Sequence, residues 1–412
     1  MAAAEGAPAT GAAVRTMLID DRFTAVAAKF FAMFRYRRQG GGALAVYLNG
    51  EPVLDIWGGW ADEHRRWRAD SMVLAYSTGK GVAATVLHRL IERGVLDLDA
   101  PVADHWPEFA VRGKAEFTVR TVLNHRAGLQ GIRGLVAPDE LLDHDTVAAA
   151  LAAAAPDPMR LRASGYHALT FGTLVAEIAE RATGRGFTDL VRTELAEPLG
   201  EDDFWFGVPR HHRHRLARLS PRLGVARIPF DTLIGPFASV QRVRSARSAV
   251  YDGWADMTLG ARPYDAMMPG WNGVFTARAL AKMYGAIAND GLVGHRRLLR
   301  PDTTRLLAQM PPNSRYDYVL GGPPHFALGY HRAIVGTRLT RQAFGHFGIG
   351  GSGAIATPSL GLSVAFVTNH LGNHLMSLGD ARLPVLAAMS ERAARSAREV
   401  GTPDLLDAPV AS

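Results

Sequence analysis

Ser77 and Lys80 are the residues of this chain whose types and spacing best fit covalent catalysis. They lie in the run Tyr76-Ser77-Thr78-Gly79-Lys80, directly before the segment VAATVLHRLIERG, whose apolar periodicity predicts a helix. Residues three apart on a helix share one face, so this spacing places the lysine amine beside the serine hydroxyl. The positive end of the helix dipole and partial burial both lower a lysine pKa. A neutral amine can accept the serine proton, and the Ser77 amide would be an oxyanion donor.

The alternative interpretation is structural: Ser77 caps the helix and Lys80 lies in its first turn. A first-turn lysine is unfavourable against the helix dipole, which disfavours this alternative. A motif with two fixed positions is nevertheless weakly specific. The interpretation of Ser77 as a nucleophile therefore also depends on the sequence around this motif.

Composition narrows the class of protein. The chain has 412 residues, of which 48% are hydrophobic and 21% charged, which is typical of a globular protein with two lobes. The absence of cysteine excludes a thiol nucleophile and disulfides. The sequence contains no run of about 18 consecutive apolar residues, so we predict no membrane-spanning helix. The N-terminal sequence MAAAEGAPATGAAVRT lacks the pattern of a secretory signal, so we expect a cytoplasmic protein.

The net charge of +7 does not indicate a nucleic-acid-binding protein. Its arginines are scattered, and the one dense stretch, residues 210–215, is best interpreted as a solvated surface. Neither a zinc-type ligand spacing nor an RNA-binding signature accompanies it. We therefore expect a small-molecule partner and no nucleic acid.

The order of predicted elements indicates an α+β fold. A predicted amphipathic helix at 18–37 and a hairpin around Asn49-Gly50 open the chain, and strand-like runs followed by a helix close it. Sequential strands joined by short turns predict an antiparallel β-sheet flanked by helices, interrupted by an inserted, mostly helical lobe. The predicted helices lie at 82–96, 145–155, 168–184, 276–290 and 383–399.

The predicted domain boundaries follow from this order. Residues 1–16 form a disordered tail, and residues 17–81 and 271–412 form the sheet domain. Residues 82–270 form the helical lobe, whose irregular insert at 218–270 is broken by prolines and lines a pocket.

Several segments resemble one superfamily. The run MVLAYSTGKGVAATVLHRLIERGVLDLDAPVADHWPEF resembles the nucleophile region of the serine β-lactamases and penicillin-binding proteins. It is most similar to their class C-like branch, which includes the family VIII carboxylesterases. TVLNHRAGL, residues 121–129, resembles the L-L-x-H-x-S-G-L element of that branch, and residues 270–291 and 344–370 resemble its later landmarks in order. The resemblance implies a β-lactamase/transpeptidase-like fold.

The same resemblance points to a third catalytic residue. The family carries a tyrosine in a Y-x-N element, and Tyr166-His167-Ala168 occupies its place here. Tyr166 would act as general base on Ser77 or relay a proton to the leaving group. The asparagine is replaced by Ala168. Nearby, His125 is interpreted as a structural histidine that holds a loop.

The K-T-G element of the family aligns with His346-Phe347-Gly348. The backbone amide that follows Gly348, that of Ile349, would be the second oxyanion donor, and His346 would contact the substrate. The formal G-x-G-x-x-G match at 348–353 is not a dinucleotide site, because a strand-like run rather than a helix follows it.

The resemblance and its departures together predict an ester hydrolase. Without the asparagine and the K-T-G lysine, the site lacks groups that contact the amide and carboxylate of a β-lactam. We therefore expect Ser77, Lys80 and Tyr166 to cleave a small carboxylic ester through an acyl-enzyme, with no metal or other cofactor. The alternatives are acyl transfer on the same site, a β-lactamase or D-aminopeptidase type of amide hydrolysis, and a non-catalytic scaffold. The sequence leaves acyl and alcohol specificity and oligomeric state open.

Overall fold

Strands from both ends of the chain build the main sheet of the computed structural model, which describes residues 16–36, 39–221, 240–251, 254–309, 316–322, 325–371 and 380–400. The strands of this part of the chain are β1 (Leu18–Ile19), β2 (Gly41–Leu48), β3 (Glu51–Gly59), β4 (Val73–Leu74), β5 (Phe204–Trp205), β6 (Ser220–Pro221), β7 (Val274–Phe275), β8 (Leu292–Val293), β9 (Arg296–Arg297), β10 (Phe326–Ala327), β11 (Tyr330–Val335), β12 (Arg338–Phe347), β13 (Gly353–Thr357), β14 (Leu362–Thr368) and β15 (His370–Leu371). The main sheet has the order β1-β3-β2-β14-β13-β12-β11-β10, with every neighbouring pair antiparallel.

Most helices lie between the two groups of sheet strands in sequence. The α-helices of the described residues are α1 (Thr24–Met33), α2 (Thr78–Glu92), α3 (Val119–Leu123), α4 (His144–Ala153), α5 (Phe171–Thr183), α6 (Phe187–Val191), α7 (Glu197–Leu199), α8 (Gln241–Ser248), α9 (Trp254–Met257), α10 (Ala277–Ala288), α11 (Pro301–Ala308) and α12 (Arg382–Val400). None of them is both long and apolar enough to cross a membrane.

The centre of the main sheet is buried on both faces. Successive side chains of a strand point to opposite faces, and every residue of β2 is buried. Leu44 of β2 belongs to a core with Phe30 of α1 and Leu386 of α12. Its neighbour Ala45 belongs to the other core, with Leu280 of α10. Burial on both sides explains why this strand is a continuous apolar run rather than an alternating one.

The predicted α+β architecture and its opening hairpin are observed. β2 and β3 pair antiparallel, and Asn49 (φ 51°) and Gly50 (φ 81°) both adopt the left-handed conformation that a tight two-residue hairpin turn requires. The division into a sheet domain and a helical lobe stays a prediction. The predicted tail up to residue 15 and two parts of the insert, 222–239 and 252–253, lie outside the described residues.

Candidate active site

Ser77 lies in a tight turn between a short strand and a helix. β4 pairs with β7, and the amide of Ala75 donates to the carbonyl of Gly273 at 2.8 Å. Tyr76, which follows, is buried in the left-handed conformation with φ 49°. A bulky residue adopts this conformation only where its surroundings enforce it. Here the Tyr76 hydroxyl is hydrogen-bonded to Thr258 Oγ1 at 2.8 Å.

Helix α2 starts directly after the nucleophile candidate. It begins at Thr78, four residues before the predicted start, although Gly79 and Gly81 have low helix propensity. Tertiary packing favours these glycines, because a Cβ on Gly79 would press on Phe206 and one on Gly81 would clash with Tyr284. The early start places the lysine amine inside the first turn.

The Ser77 hydroxyl does not cap this helix. Ser77 occupies the N-cap position, but its side chain accepts no capping hydrogen bond. Its Oγ instead lies 3.1 Å from Lys80 Nζ and 2.8 Å from the Tyr166 hydroxyl. The structure thus brings the three predicted catalytic side chains together at one oxygen.

The Lys80 amine is enclosed and faces two carbonyl oxygens as well as Ser77. Nζ lies 2.8 Å from the Ala168 oxygen and 2.5 Å from the Gly270 oxygen, and the side chain is fully buried. Burial lowers the pKa of Lys80 well below its ordinary value. A neutral amine has two N–H groups for the two carbonyls and one lone pair for the Ser77 proton. The geometry therefore fits a lysine that serves as a base.

The Gly270 carbonyl reaches Lys80 because two backbones touch. Gly172 of α5 packs directly on Gly270, and a Cβ on Gly172 would overlap the Gly270 nitrogen. The buried Asn272 side chain secures the same loop by accepting from the Met268 amide at 3.0 Å and donating to the Pro263 carbonyl at 2.9 Å. Sequence reasoning missed both carbonyl contacts, because a backbone oxygen has no residue signature.

Tyr166 is held by ring packing rather than by other bonds to its hydroxyl. Its ring stacks on Phe326, with centroids 5.2 Å apart, and lies 5.0 Å from the His125 ring. His125 also accepts the His167 amide at its Nδ1 (3.1 Å) and takes the Gly165 amide at its carbonyl (3.2 Å). Burial raises the pKa of Tyr166, although its bond to Ser77 lowers it, so the phenol keeps its proton.

The end of β12 lies against the turn between β4 and α2 that carries Ser77. A Cβ on Gly348 would clash with the Ala75 carbonyl oxygen, so only glycine permits this approach. The Gly348 amide donates to the Ser352 carbonyl at 2.8 Å. Within the described residues, neither the Ser77 amide nor the Ile349 amide donates a hydrogen bond to the protein. Two unoccupied amides near a nucleophile are what an oxyanion hole requires.

His346 is buried in β12 and carries one unpaired ring nitrogen. Nδ1 lies 3.2 Å from the Phe347 carbonyl, which assigns the proton to Nδ1 and leaves Nε2 as an acceptor. Nε2 has no partner in the part of the chain that the structure describes. Its ring centroid lies 6.4 Å from that of Tyr166. Burial lowers the pKa of His346 well below its usual range, so this histidine offers no cation to a substrate.

The sequence matches the family described as Beta-lactamase over residues 26–389. The esterase/beta-lactamase LipL of Mycobacterium tuberculosis is 41% identical over 392 residues, covering 93% of this chain and 89% of that protein. A solved family VIII carboxylesterase superposes with a TM-score of 0.80 at 32% identity, covering 91% of this chain and 98% of its own. A penicillin-binding protein homologue from Caulobacter crescentus superposes with a TM-score of 0.80 at 34% identity, covering 92% and 99%.

Proposed function

This chain belongs to the beta-lactamase family and is a serine hydrolase, and we propose that it cleaves carboxylic esters through an acyl-enzyme on Ser77. The predicted superfamily and the β-lactamase/transpeptidase-like fold are thereby confirmed. The observation that carries the proposal is the contact of one hydroxyl oxygen, Ser77 Oγ, with both the buried Lys80 amine and the Tyr166 phenol.

In the acylation step Ser77 Oγ attacks the ester carbonyl carbon while its proton passes to the neutral Lys80 amine. The carbonyl oxygen becomes an oxyanion, which the amides of Ser77 and Ile349 stabilise. The C–O bond to the alcohol then breaks, and Tyr166 gives its proton to the departing alkoxide. Lys80, whose Nζ lies 4.9 Å from the Tyr166 ring centroid, returns a proton to Tyr166.

Deacylation uses the same groups in the reverse sense. A water molecule loses a proton to the neutral Lys80 amine and attacks the acyl carbon, because Tyr166 has regained its own proton and cannot accept another. The bond from that carbon to Ser77 Oγ breaks, and the oxygen recovers its proton. The products are a carboxylic acid and a regenerated serine, with no metal or redox group needed in the balance.

An ester substrate fits this site better than a β-lactam. Ala168 offers only its carbonyl, and that carbonyl already accepts from Lys80, so no side-chain amide is present at this position to bind a substrate amide. The unprotonated His346 supplies no positive charge for a substrate carboxylate. The esterase names of the relatives LipL and the family VIII carboxylesterase support the same conclusion.

Covalent labelling tests the proposal. We expect the wild-type protein to react with a fluorophosphonate probe, to carry the added mass on the peptide containing Ser77, and to hydrolyse p-nitrophenyl butyrate. Ser77→Ala should lose both activities. Ser363→Ala is the matched control, because its hydroxyl is also buried but donates to the Ala281 carbonyl at 2.7 Å, away from the site.

The same preparation separates the competing reactions. Faster turnover of nitrocefin or of a D-amino-acid amide than of the ester would replace the proposal by amide hydrolysis. An ester product that exceeds the acid when an alcohol is added would replace it by acyl transfer. A protein that the probe does not label contradicts the serine nucleophile itself.

A further inference from the structure

We propose that His331 is a positioning residue for the oxyanion hole: its imidazole replaces a missing backbone acceptor at the end of β12 and thereby fixes the strand that presents the Ile349 amide. The inference rests on the proposed function. His331 lies on β11, the strand next to β12, and no feature of the sequence singled it out.

Backbone pairing between β11 and β12 stops short of the site. The last pair toward the site is His331 with Gly345, and β11 has no residue before Tyr330. Gly329, which would come opposite Phe347, instead turns away with φ 89° and donates its amide to the Leu123 carbonyl at 2.9 Å. The Phe347 amide therefore reaches the edge of β12 without a backbone acceptor from β11.

The His331 side chain supplies that acceptor. Its Nε2 accepts the Phe347 amide at 3.2 Å, and its Nδ1 lies 2.8 Å from the Arg332 carbonyl, to which it donates. One ring nitrogen accepts and the other donates, which specifies the neutral Nδ1–H tautomer. Burial supports this state by lowering the pKa of His331 to about 4. The ring also packs edge-on against His346 and Phe347, each with centroids 4.7 Å apart.

This bond acts on the strand edge that carries the oxyanion donor. The Phe347 amide lies on the β11 edge of β12, at the last residue of the strand, and Ile349 follows two residues later in the turn that begins there. The Gly348 amide points the other way and is bound by the Ser352 carbonyl. His331 and Ser352 thus hold the two residues before Ile349 from opposite sides, while the Ile349 amide has no protein acceptor among the described residues.

Three variants test this role. His331→Phe keeps a ring but removes the acceptor, whereas His331→Gln places an amide oxygen near the position of Nε2. The control is His88→Phe, because His88 is also buried but its Nε2 contacts the Leu328 carbonyl at 2.9 Å, in the turn before β11, rather than an amide of β12. We expect His331→Phe to lower kcat for p-nitrophenyl butyrate by roughly tenfold to a hundredfold, with KM within about threefold of wild type. His331→Gln should restore most of the lost kcat, and His88→Phe should leave kcat close to the wild-type value.

The outcomes distinguish this inference from the proposed function. If the fluorophosphonate probe does not label the wild-type protein, the proposed function fails. If the probe labels it and His331→Phe keeps kcat within about threefold, the inference about His331 is overturned. Nitrogen-15 NMR of the wild-type histidines decides the matter even if the variants do not fold. A proton on Nδ1 and none on Nε2 of His331 at pH 7 supports the proposal, and a proton on Nε2 refutes it.

Discussion

Replacing Tyr166 by phenylalanine removes one hydroxyl group and leaves its ring packing in place. The hydroxyl is bonded to Ser77 Oγ at 2.8 Å, while the ring is held separately by Phe326 and His125. The variant therefore tests the proton-transfer role without creating a cavity of any size. We expect it to fold and to bind substrate as the wild-type protein does.

The expected magnitudes differ between stability and catalysis. Loss of one neutral hydrogen bond lowers the free energy of unfolding by about 0.5–1.5 kcal/mol. Loss of a general acid–base group slows the chemical step by roughly 10²–10⁴-fold, which corresponds to about 3–5 kcal/mol in the activation free energy. The activity loss should thus exceed the stability loss severalfold.

Rapid-quench kinetics with an unactivated alkyl ester such as ethyl butyrate measures the acylation rate, because its alkoxide leaving group needs a proton from Tyr166 whereas p-nitrophenolate does not. Urea denaturation measures the free energy of unfolding. Tyr330→Phe is the control, since this buried tyrosine loses a bond of similar length, 2.7 Å to Thr85 Oγ1, outside the proposed site. A Tyr166→Phe variant that acylates within about threefold of wild type would refute the proposed role of the phenol. An equal loss in both variants would assign the effect to general destabilisation.

Three further predictions concern charge and packing. Lys80→Met should lower kcat/KM by roughly 10³-fold or more. It should also raise the free energy of unfolding at pH 7, because burial lowers the pKa of Lys80 and the folded state then binds fewer protons than the unfolded chain. This gain in the free energy of unfolding should shrink as the pH approaches 10.5, the ordinary pKa of a lysine. Urea denaturation of both proteins at pH 7 and pH 9.5 measures it, and an undiminished gain at pH 9.5 contradicts a neutral Lys80 amine. Gly348→Ala should lower kcat by about 10²-fold, because its Cβ would force β12 away from Ala75; unchanged kcat would mean that this approach is irrelevant to turnover. His144 contacts Glu177, and carboxylate contacts raise the pKa of His144 to about 9 against the opposing effect of burial. The stabilisation that protonated His144 provides should be full below about pH 6.5 and lost as the pH rises through about 9. Thermal unfolding of wild type and His144→Gln across that pH range measures this stabilisation, and a difference in Tm that stays constant with pH contradicts it.

Features that depend on neighbours in sequence could be predicted without coordinates. The spacing of Ser77 and Lys80 places them on one helical face because a helix turns every 3.6 residues. Asn49-Gly50 determines a tight hairpin because both residues tolerate the left-handed conformation. The antiparallel sheet followed from short connections between strand-like runs, and the superfamily followed from several motifs in the expected order.

Features that depend on distant segments required the tertiary structure. The Gly270 carbonyl contacts Lys80 across 190 positions of sequence, and the sequence does not indicate where a backbone oxygen will lie. Burial of the lysine amine arises from many segments at once, so its lowered pKa is a property of the assembled site. His331 matters only because Gly329 turns away and leaves an amide unpaired. The sequence alone determined which side chains can react, whereas tertiary packing decided their protonation states and the backbone groups that hold them in place.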